Sequence, residues 1–273
     1  VYAFSVSNQY TATALLAPAQ SDNSDLSGSL GQLGGLVSLA GVDLGGGDSG
    51  EAQIAQEIMK SWSYIEGFIA ENKIAVEVYA VDGWDKESNT LEINSSDYDL
   101  EKNEWLIKGE NGKIGPPSSW MLYEAFNEKL SISEDKKSGL VTVSIEYYSP
   151  LVAKQWVDMY IESINSFMQQ RQVTKVSRNI EYLQEQIGKT SISEMQGVFY
   201  SIIEEQIKNK MLAEASPDYA FLVVGPSMVP EEESKPRRAL IFVSGTLVGF
   251  LLSVFLVLVL HYVQKSNSDL QQK

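Results

Sequence analysis

Apolar residues set the elements of this chain, and their period changes several times along it. Residues 10–16 (YTATALL) alternate apolar and small polar positions and stop at Pro18, which predicts a β-strand. Between residues 51 and 72, Ile54, Ile58, Trp62, Ile65 and Ile69 recur at steps of three and four, the spacing of one amphipathic helix. Residues 74–81 (IAVEVYAV) read as a second strand. Residues 130–133 and 140–148 read as a hairpin. In its second strand Val141, Val143, Ile145 and Tyr147 alternate with Thr142, Ser144 and Glu146, so one face is expected to be buried.

Ser149-Pro150 is a helix start, a capping serine before a proline whose missing N–H costs nothing at the first helical position. A long helix comes next. Ile164, Phe167 or Met168, then Val176, Ile180, Leu183 and Ile187 keep one stripe, interrupted at 169–172. Gly188 is expected to end or bend it. Ser191-x-x-Glu194 reads as a capping box for a second helix reaching about Ala215, with Met195, Phe199 and Ile202 in step and Ile207 offset. A helix over 150–188 is roughly 57 Å long at about 1.5 Å per residue, longer than a compact base needs, so this pair is expected to project as an arm over 150–216. Residues 219–224 (YAFLVV) read as a last strand. Pro226, Pro230 and Pro236 then make a stiff extended connector over 225–238.

Residues 239–263 (ALIFVSGTLVGFLLSVFLVLVLHYV) hold no Asp, Glu, Lys or Arg. As a helix they reach roughly 37 Å, against a hydrocarbon core of about 30 Å, and they are apolar on every face. A transmembrane helix is expected there. Gly245 and Gly249 form a GxxxG pair, a pattern that lets a second membrane helix approach closely but that also arises because glycine is common in such helices. Residues 1–7 (VYAFSVS) read as the tail of an earlier apolar segment, which implies a first membrane helix before Val1 and a short tail at 264–273. Lys235, Arg237 and Arg238 precede the span and Lys265 and Lys273 come after it, so counting positive charges places the large part in the cytoplasm by a narrow margin.

The formal charge is −15, which argues against nucleic acid as a partner because no basic face is on offer for a phosphate backbone. There are no cysteines, so thiolate metal sites, disulfides and cysteine nucleophiles are excluded. The single histidine, His261, falls inside the apolar segment, away from chemistry in water. Residues 21–50 are rich in Gly, Ser and Asp and read as a loop. Gly45, Gly47 and Gly50 match GxGxxG there, but LVSLAGVDL before them is a poor strand and no repeated βαβ pattern stands after them, so a dinucleotide unit is not built. Residues 82–117 are acidic and irregular. Asp97-x-Asp99-x-Glu101 starts like a calcium loop, yet Lys102 stands where glycine is needed and Lys108 where glutamate is needed. Gly188-Lys189-Thr190 resembles the end of a phosphate loop, but Leu183 occupies the place of its first glycine. Trp84, Trp105 and Trp120 could stack on sugars, though packing is the commoner use of large aromatics. No cofactor is implied.

Taken in order, these pieces resemble the Wzz family, polysaccharide co-polymerases that set O-antigen chain length in Gram-negative bacteria. The parts that carry the resemblance are YTATALLAP at 10–18, GGLVSLAGVDLGGG, YYSPLVAKQWVDMYIESIN at 147–165 and the proline-rich approach to the membrane helix. The last corresponds here to Pro226, Pro230, Ser234, Pro236, Arg237, Gly245 and Gly249, with wider proline spacing than the family's and Lys235 between Ser234 and Pro236. The resemblance implies an α+β fold: a membrane-proximal α/β base over 8–149, an extended helical arm, a last base strand and connector over 217–238, and an inner-membrane anchor. It implies two spans with both termini cytoplasmic and the large domain periplasmic, against the charge count. It further implies a homo-oligomeric ring working with the Wzy polymerase and lipid-linked polysaccharide, and a scaffold with no catalytic residues. The alternatives are a membrane adaptor of a tyrosine-kinase-linked capsule or exopolysaccharide export system, a receptor ectodomain, and a tethered carboxylate glycosidase.

Overall fold

The computed structural model describes residues 7–19, 48–109 and 112–236, with four further positions between 243 and 255. Strand β1 (Tyr10–Pro18) lies inside a four-stranded sheet with β8 (Leu130–Glu134), β9 (Val141–Tyr147) and β10 (Phe221–Gly225), in the order β10-β1-β9-β8. All neighbours are antiparallel, with Tyr10 opposite Tyr147 and Leu16 opposite Val141. The alternation read from the sequence governs this sheet. Ala12, Ala14 and Leu16 are buried beside Val141, Val143, Ile145 and Tyr147, while Thr13 and Ser144 meet on the opposite face at 2.9 Å.

Helix α5 (Pro150–Lys189) starts at the serine–proline signal, although Ser149 makes no side-chain capping bond, and lays Ala153, Trp156, Val157, Tyr160 and Ile164 on the buried face. Around it stand α1 (Asp48–Lys60), α2 (Trp62–Asn72), α3 (Ala75–Tyr79) and α4 (Ser119–Asn127). Rings fill the space between them: Phe68, Phe126, Tyr147, Trp156 and Tyr160 sit with centroids 4.5–5.8 Å apart. The buried phenols each give their proton to a backbone carbonyl. Tyr147 donates to Glu77 at 2.6 Å and Tyr160 to Met59, and burial raises both pKa values far above the usual phenol range.

Several expectations are corrected. The single helix over 51–72 is two. Ser61 ends α1 and caps α2, accepting from the Tyr64 N–H, and the chain turns there. Ile65 and Ile69 of the expected stripe are buried, beside Tyr64 and Phe68, but before the turn the buried face shifts to Ala55 and Met59, and Ile54 and Trp62 are exposed. Residues 74–81 are not a strand: they form α3 before β2 (Val81–Asp85) begins, and only Val78 of that helix is buried. The irregular acidic stretch holds three small antiparallel pairs among the described residues: β2 with β3 (Thr90–Ile93), β4 (Tyr98–Asp99) with β5 (Glu104–Trp105), and β6 (Ile107–Lys108) with β7 (Ile114–Gly115). Within that stretch Asp99 closes a turn. Its carboxylate accepts from the Glu101 and Lys102 N–H groups and from Lys102 Nζ at 3.0 Å.

α5 ends at Lys189, one residue past Gly188, so the glycine marks its end to within a residue. Helix α6 (Ser193–Ala215) begins after Ile192, so the Ser191–Glu194 box is not its cap. Gln196 instead donates to the Thr190 carbonyl at 2.9 Å and, more weakly, to that of Ile187, closing the turn at the arm tip. Val176 and Leu183 of α5 are buried as read, and Met168 rather than Phe167 takes the inner position; in α6 Phe199 and Ile202 are half-buried, Met195 is exposed, and Ile203 and Gln206, which the expected stripe did not include, are buried. At about 1.5 Å per residue the 40-residue α5 measures about 60 Å, and among the described residues its outer half has only α6 beside it as a helix.

Among the described residues no helix is long and apolar enough to cross a membrane. The expected span at 239–263, the segment at 1–6, nearly all of the loop at 21–50 and the tail at 264–273 lie outside the described residues, apart from the scattered positions 243, 246, 253 and 255, which are helical.

Candidate functional site

Near the ends of the described chain, residues on either side of the sheet come together. Gln9 donates its N–H to the Lys235 carbonyl at 3.0 Å and accepts the Ser234 N–H at 2.8 Å, so residues 9 and 235 form an isolated antiparallel bridge. Asn8 donates from its amide to Glu233. Below them Glu146, one residue from the end of β9, acts as the common anchor. Lys235 Nζ stands 2.5 Å from Glu146 Oε1, and the Ser234 hydroxyl shares its proton between Glu146 Oε2 at 3.1 Å and the Gln9 carbonyl at 3.0 Å. Thr11 Oγ1 approaches the same carboxylate at 3.5 Å. Glu146 is reachable because it sits on the polar face of the alternating β9. The period that buries Ile145 and Tyr147 presents it to the connector.

Aromatic rings brace this junction. Tyr10 meets the edge of Trp84 at 5.9 Å, and the Trp84 N–H donates to Asn89 at 3.0 Å. Burial raises the Tyr10 phenol, and the nearby Glu233 carboxylate raises it further. Tyr148 is raised chiefly by burial as well, then by Asp82, against a lowering hydrogen bond from Gln9.

Upstream, the connector is tied to α5. Ser227 is buried and donates to Asp158, which Lys154 also pairs. Pro226 lines a cleft of about 420 Å³ between α5, the end of α6 and β10, where Asp158, Glu162, Glu214 and Asp218 also appear. Asn165 also lines this cleft. Its side chain accepts from the Ala220 and Phe221 N–H groups at 2.9 and 2.8 Å and donates to the Phe221 carbonyl at 2.9 Å, as a neighbouring strand would. Among the described residues no group of three or more His, Asp or Glu is placed to hold a metal ion.

Of the residues singled out in the sequence, Pro226, Pro230, Ser234 and Pro236 belong to this connector, and Ser234 is the one whose side chain joins the junction. Arg237, Gly245 and Gly249 lie outside the described residues. Gln9 and Glu146 were not legible as partners, because a lone glutamate on a polar strand face carries no sign of what will cross it. Trp84 and Trp105 pack against Tyr10 and against Tyr98 and Tyr79, whereas Trp120 is 55% exposed.

No family model matches the chain, and no curated protein matches it. Solved structures do. One is a fragment of WzzB, a polysaccharide co-polymerase from Salmonella Typhimurium, at 12% identity, covering 84% of this chain and 100% of that one with a TM-score of 0.37. A full-length bacterial polysaccharide co-polymerase is also 12% identical, with 97% and 89% covered and a TM-score of 0.41. The Shigella flexneri lipopolysaccharide O-antigen chain-length regulator, as a point mutant, is 10% identical, with 83% and 100% covered and a TM-score of 0.29.

Proposed function

We propose that this chain is a Wzz-type chain-length determinant: a membrane-anchored scaffold, without a reaction centre of its own, that sets the modal length of a surface polysaccharide. The observation that carries the reading is the junction. Residues 8–9 and 233–235 are bonded to each other at one end of the sheet, while the helical arm leaves from the other. A chain that enters and departs at one point, with apolar sequence at 239–263 and the expected segment before Val1, suits a base held on a membrane by two helices and an arm pointing away from it. The motif resemblance at 10–18, 147–165 and the proline connector supports the same reading.

In this account the large domain is periplasmic, the protein assembles as a ring in the inner membrane, and it presents that ring to the Wzy polymerase and the growing lipid-linked chain. The Gly245/Gly249 pair sets helix contacts within the bilayer. The test is the lipopolysaccharide banding pattern of a deletion strain. Loss of modal clustering with polymer still made is the expected result. Loss of all polymer would instead place the chain in synthesis or export. Replacing both Gly245 and Gly249 with Leu is expected to shift the length distribution or weaken the oligomer, and leaving both unchanged would remove that role.

A further inference from the structure

The sheet has two outer strands, and they differ in what they offer to water. β8 shows Ser131, Ser133 and Glu134. β10 shows Leu222, Val223 and Val224, exposed by 51%, 39% and 53%. Around it the sequence from Tyr219 to Val229 (YAFLVVGPSMV) holds no charged residue. An exposed outer strand of apolar and β-branched residues is a ready template on which another strand can pair.

The register shows which backbone groups that template presents. In an antiparallel pair successive residues turn their N–H and C=O alternately toward the partner and away from it. The Ala19 N–H reaches the Ala220 carbonyl at 3.0 Å, so residue 220 faces β1. Phe221 stands opposite Pro18, which has no N–H to give, and faces outward. Leu222 turns back to β1 opposite Ala17, and Val223, opposite Leu16, turns outward again. There the ladder breaks. Leu15 opposes Gly225, so Val224 is an unmatched bulge residue, and Pro226 comes next. β10 therefore has two outward residues before its irregular end. The first is occupied: Asn165 Oδ1 accepts the Phe221 N–H at 2.8 Å and Nδ2 donates to its carbonyl at 2.9 Å. The second, Val223, lines the cleft beside Asp158, Glu162, Glu214 and Asp218, and among the described residues no strand stands beside it.

We infer that Asn165 is an edge plug: its carboxamide takes the place of a neighbouring strand on β10 and prevents that strand from pairing with the β10 of a second copy of this chain. The amide suits the task because the outward face of a strand residue needs one acceptor and one donor, and a single asparagine side chain carries both. A ladder between two copies needs consecutive outward residues, and the plug leaves one. An incoming strand would have to expel a side chain that is 3% exposed and rooted in α5. At Val223 the acidic rim of one copy would also meet the same rim of the other, and like charges set face to face oppose pairing. The inference rests on the proposed function only for the crowding of copies side by side, which is what makes an open edge costly. Its test does not depend on that reading.

The full chain in detergent is compared with three variants, and the protein concentration at which thioflavin-positive, sedimenting assemblies form is recorded. Asn165→Leu opens the edge and should lower that threshold about tenfold or more. Any destabilised protein aggregates more readily, so two further variants separate the edge from stability. Asn165→Leu with Val223→Pro removes the second outward N–H, which β1 does not use, and a proline is tolerated on an outer strand. This double variant should return to the wild-type threshold although its unfolding midpoint is no higher than that of Asn165→Leu. Ile145→Ala cuts into the buried face of the central β9 instead, and is compared in urea at the same fraction unfolded as Asn165→Leu. Its threshold should stay well above that of Asn165→Leu. An unchanged threshold in Asn165→Leu, equal aggregation in the double variant, or equal aggregation in Ile145→Ala would each overturn the proposal. A normal polysaccharide ladder in the deletion strain would refute the proposed function while leaving these results standing.

Discussion

Replacing Asn165 with leucine keeps the branched shape and the number of heavy atoms of the side chain and removes three hydrogen bonds at one stroke. Asn165 is 3% exposed, and it satisfies the N–H of Ala220 and both backbone groups of Phe221. Phe221 opens β10, an outer strand, and among the described residues no further strand stands beyond it to take over those groups. Each stranded buried group costs about 1–3 kcal/mol, and because water refills part of an edge the three together should cost about 3–5 kcal/mol. With a urea slope of about 2 kcal/mol/M for a domain of this size, the midpoint should fall by about 2 M. Urea unfolding in detergent monitored by tryptophan fluorescence reads the midpoint, and hydrogen exchange reads the Ala220 and Phe221 amides directly. The adjacent exposed Ser166→Leu serves as control and should move the midpoint little. A shift in Asn165→Leu of under about 0.5 M, with both amides still protected, would show that the asparagine is not what holds β10 to α5.

Glu146→Gln should loosen the chain-end junction rather than the core. It removes the charge facing Lys235 while the lysine side chain is 61% exposed, so the cost in stability stays near 1 kcal/mol or less, and faster exchange at the Gln9 and Ser234 amides is the readout. Gln196→Ala should fray the arm tip for about 1 kcal/mol, seen as proteolysis near residues 188–194 before any loss of base structure. Asp85, Asp99 and Asp135 titrate below the usual carboxylate range. The main causes are bonds from Ser88 to Asp85, from Lys102 to Asp99, and from the Lys137 N–H to Asp135. A lowered folded pKa means that their turns are fully held above the ordinary aspartate range and are released as pH falls through the lowered values. An acid titration by NMR should therefore show these three turns opening below that range, and opening above it would contradict the assignment.

Elements with a long, unambiguous period were legible in the sequence. The β8–β9 hairpin, β1 and the start of α5 stand within a residue or two of their sequence reading, because alternation and a Ser-Pro step each have one geometric solution. The failures have local causes. Residues 74–81 are rich in β-branched residues, yet the chain after Asn72 turns at Lys73 with positive φ and packs Val78 inward as a helix. The break at Ser61 was hidden because a serine inside an apolar stripe looks like a tolerated polar position until its hydroxyl is seen taking the Tyr64 N–H. The box at Ser191 failed because Gln196 satisfies the arm-tip carbonyls from the next turn. Of the candidate site, the prolines and Ser234 were visible as a segment, but Gln9 and Glu146 belong to it through strand register alone, which no local pattern encodes.

The strand order has a consequence for how the molecule is made. β1 is synthesised first, yet both its neighbours, β9 and β10, come from much later in the chain, and β10 comes after the whole arm. The sheet therefore cannot close while the ribosome is still building the helices. β1 must wait with two open edges, and the hairpin of β8 and β9 with α5 is the surface on which it can first settle. Closing so long a loop gives a high contact order and a slow final step, in which β10 docks and completes the base only once nearly all of the described chain has emerged.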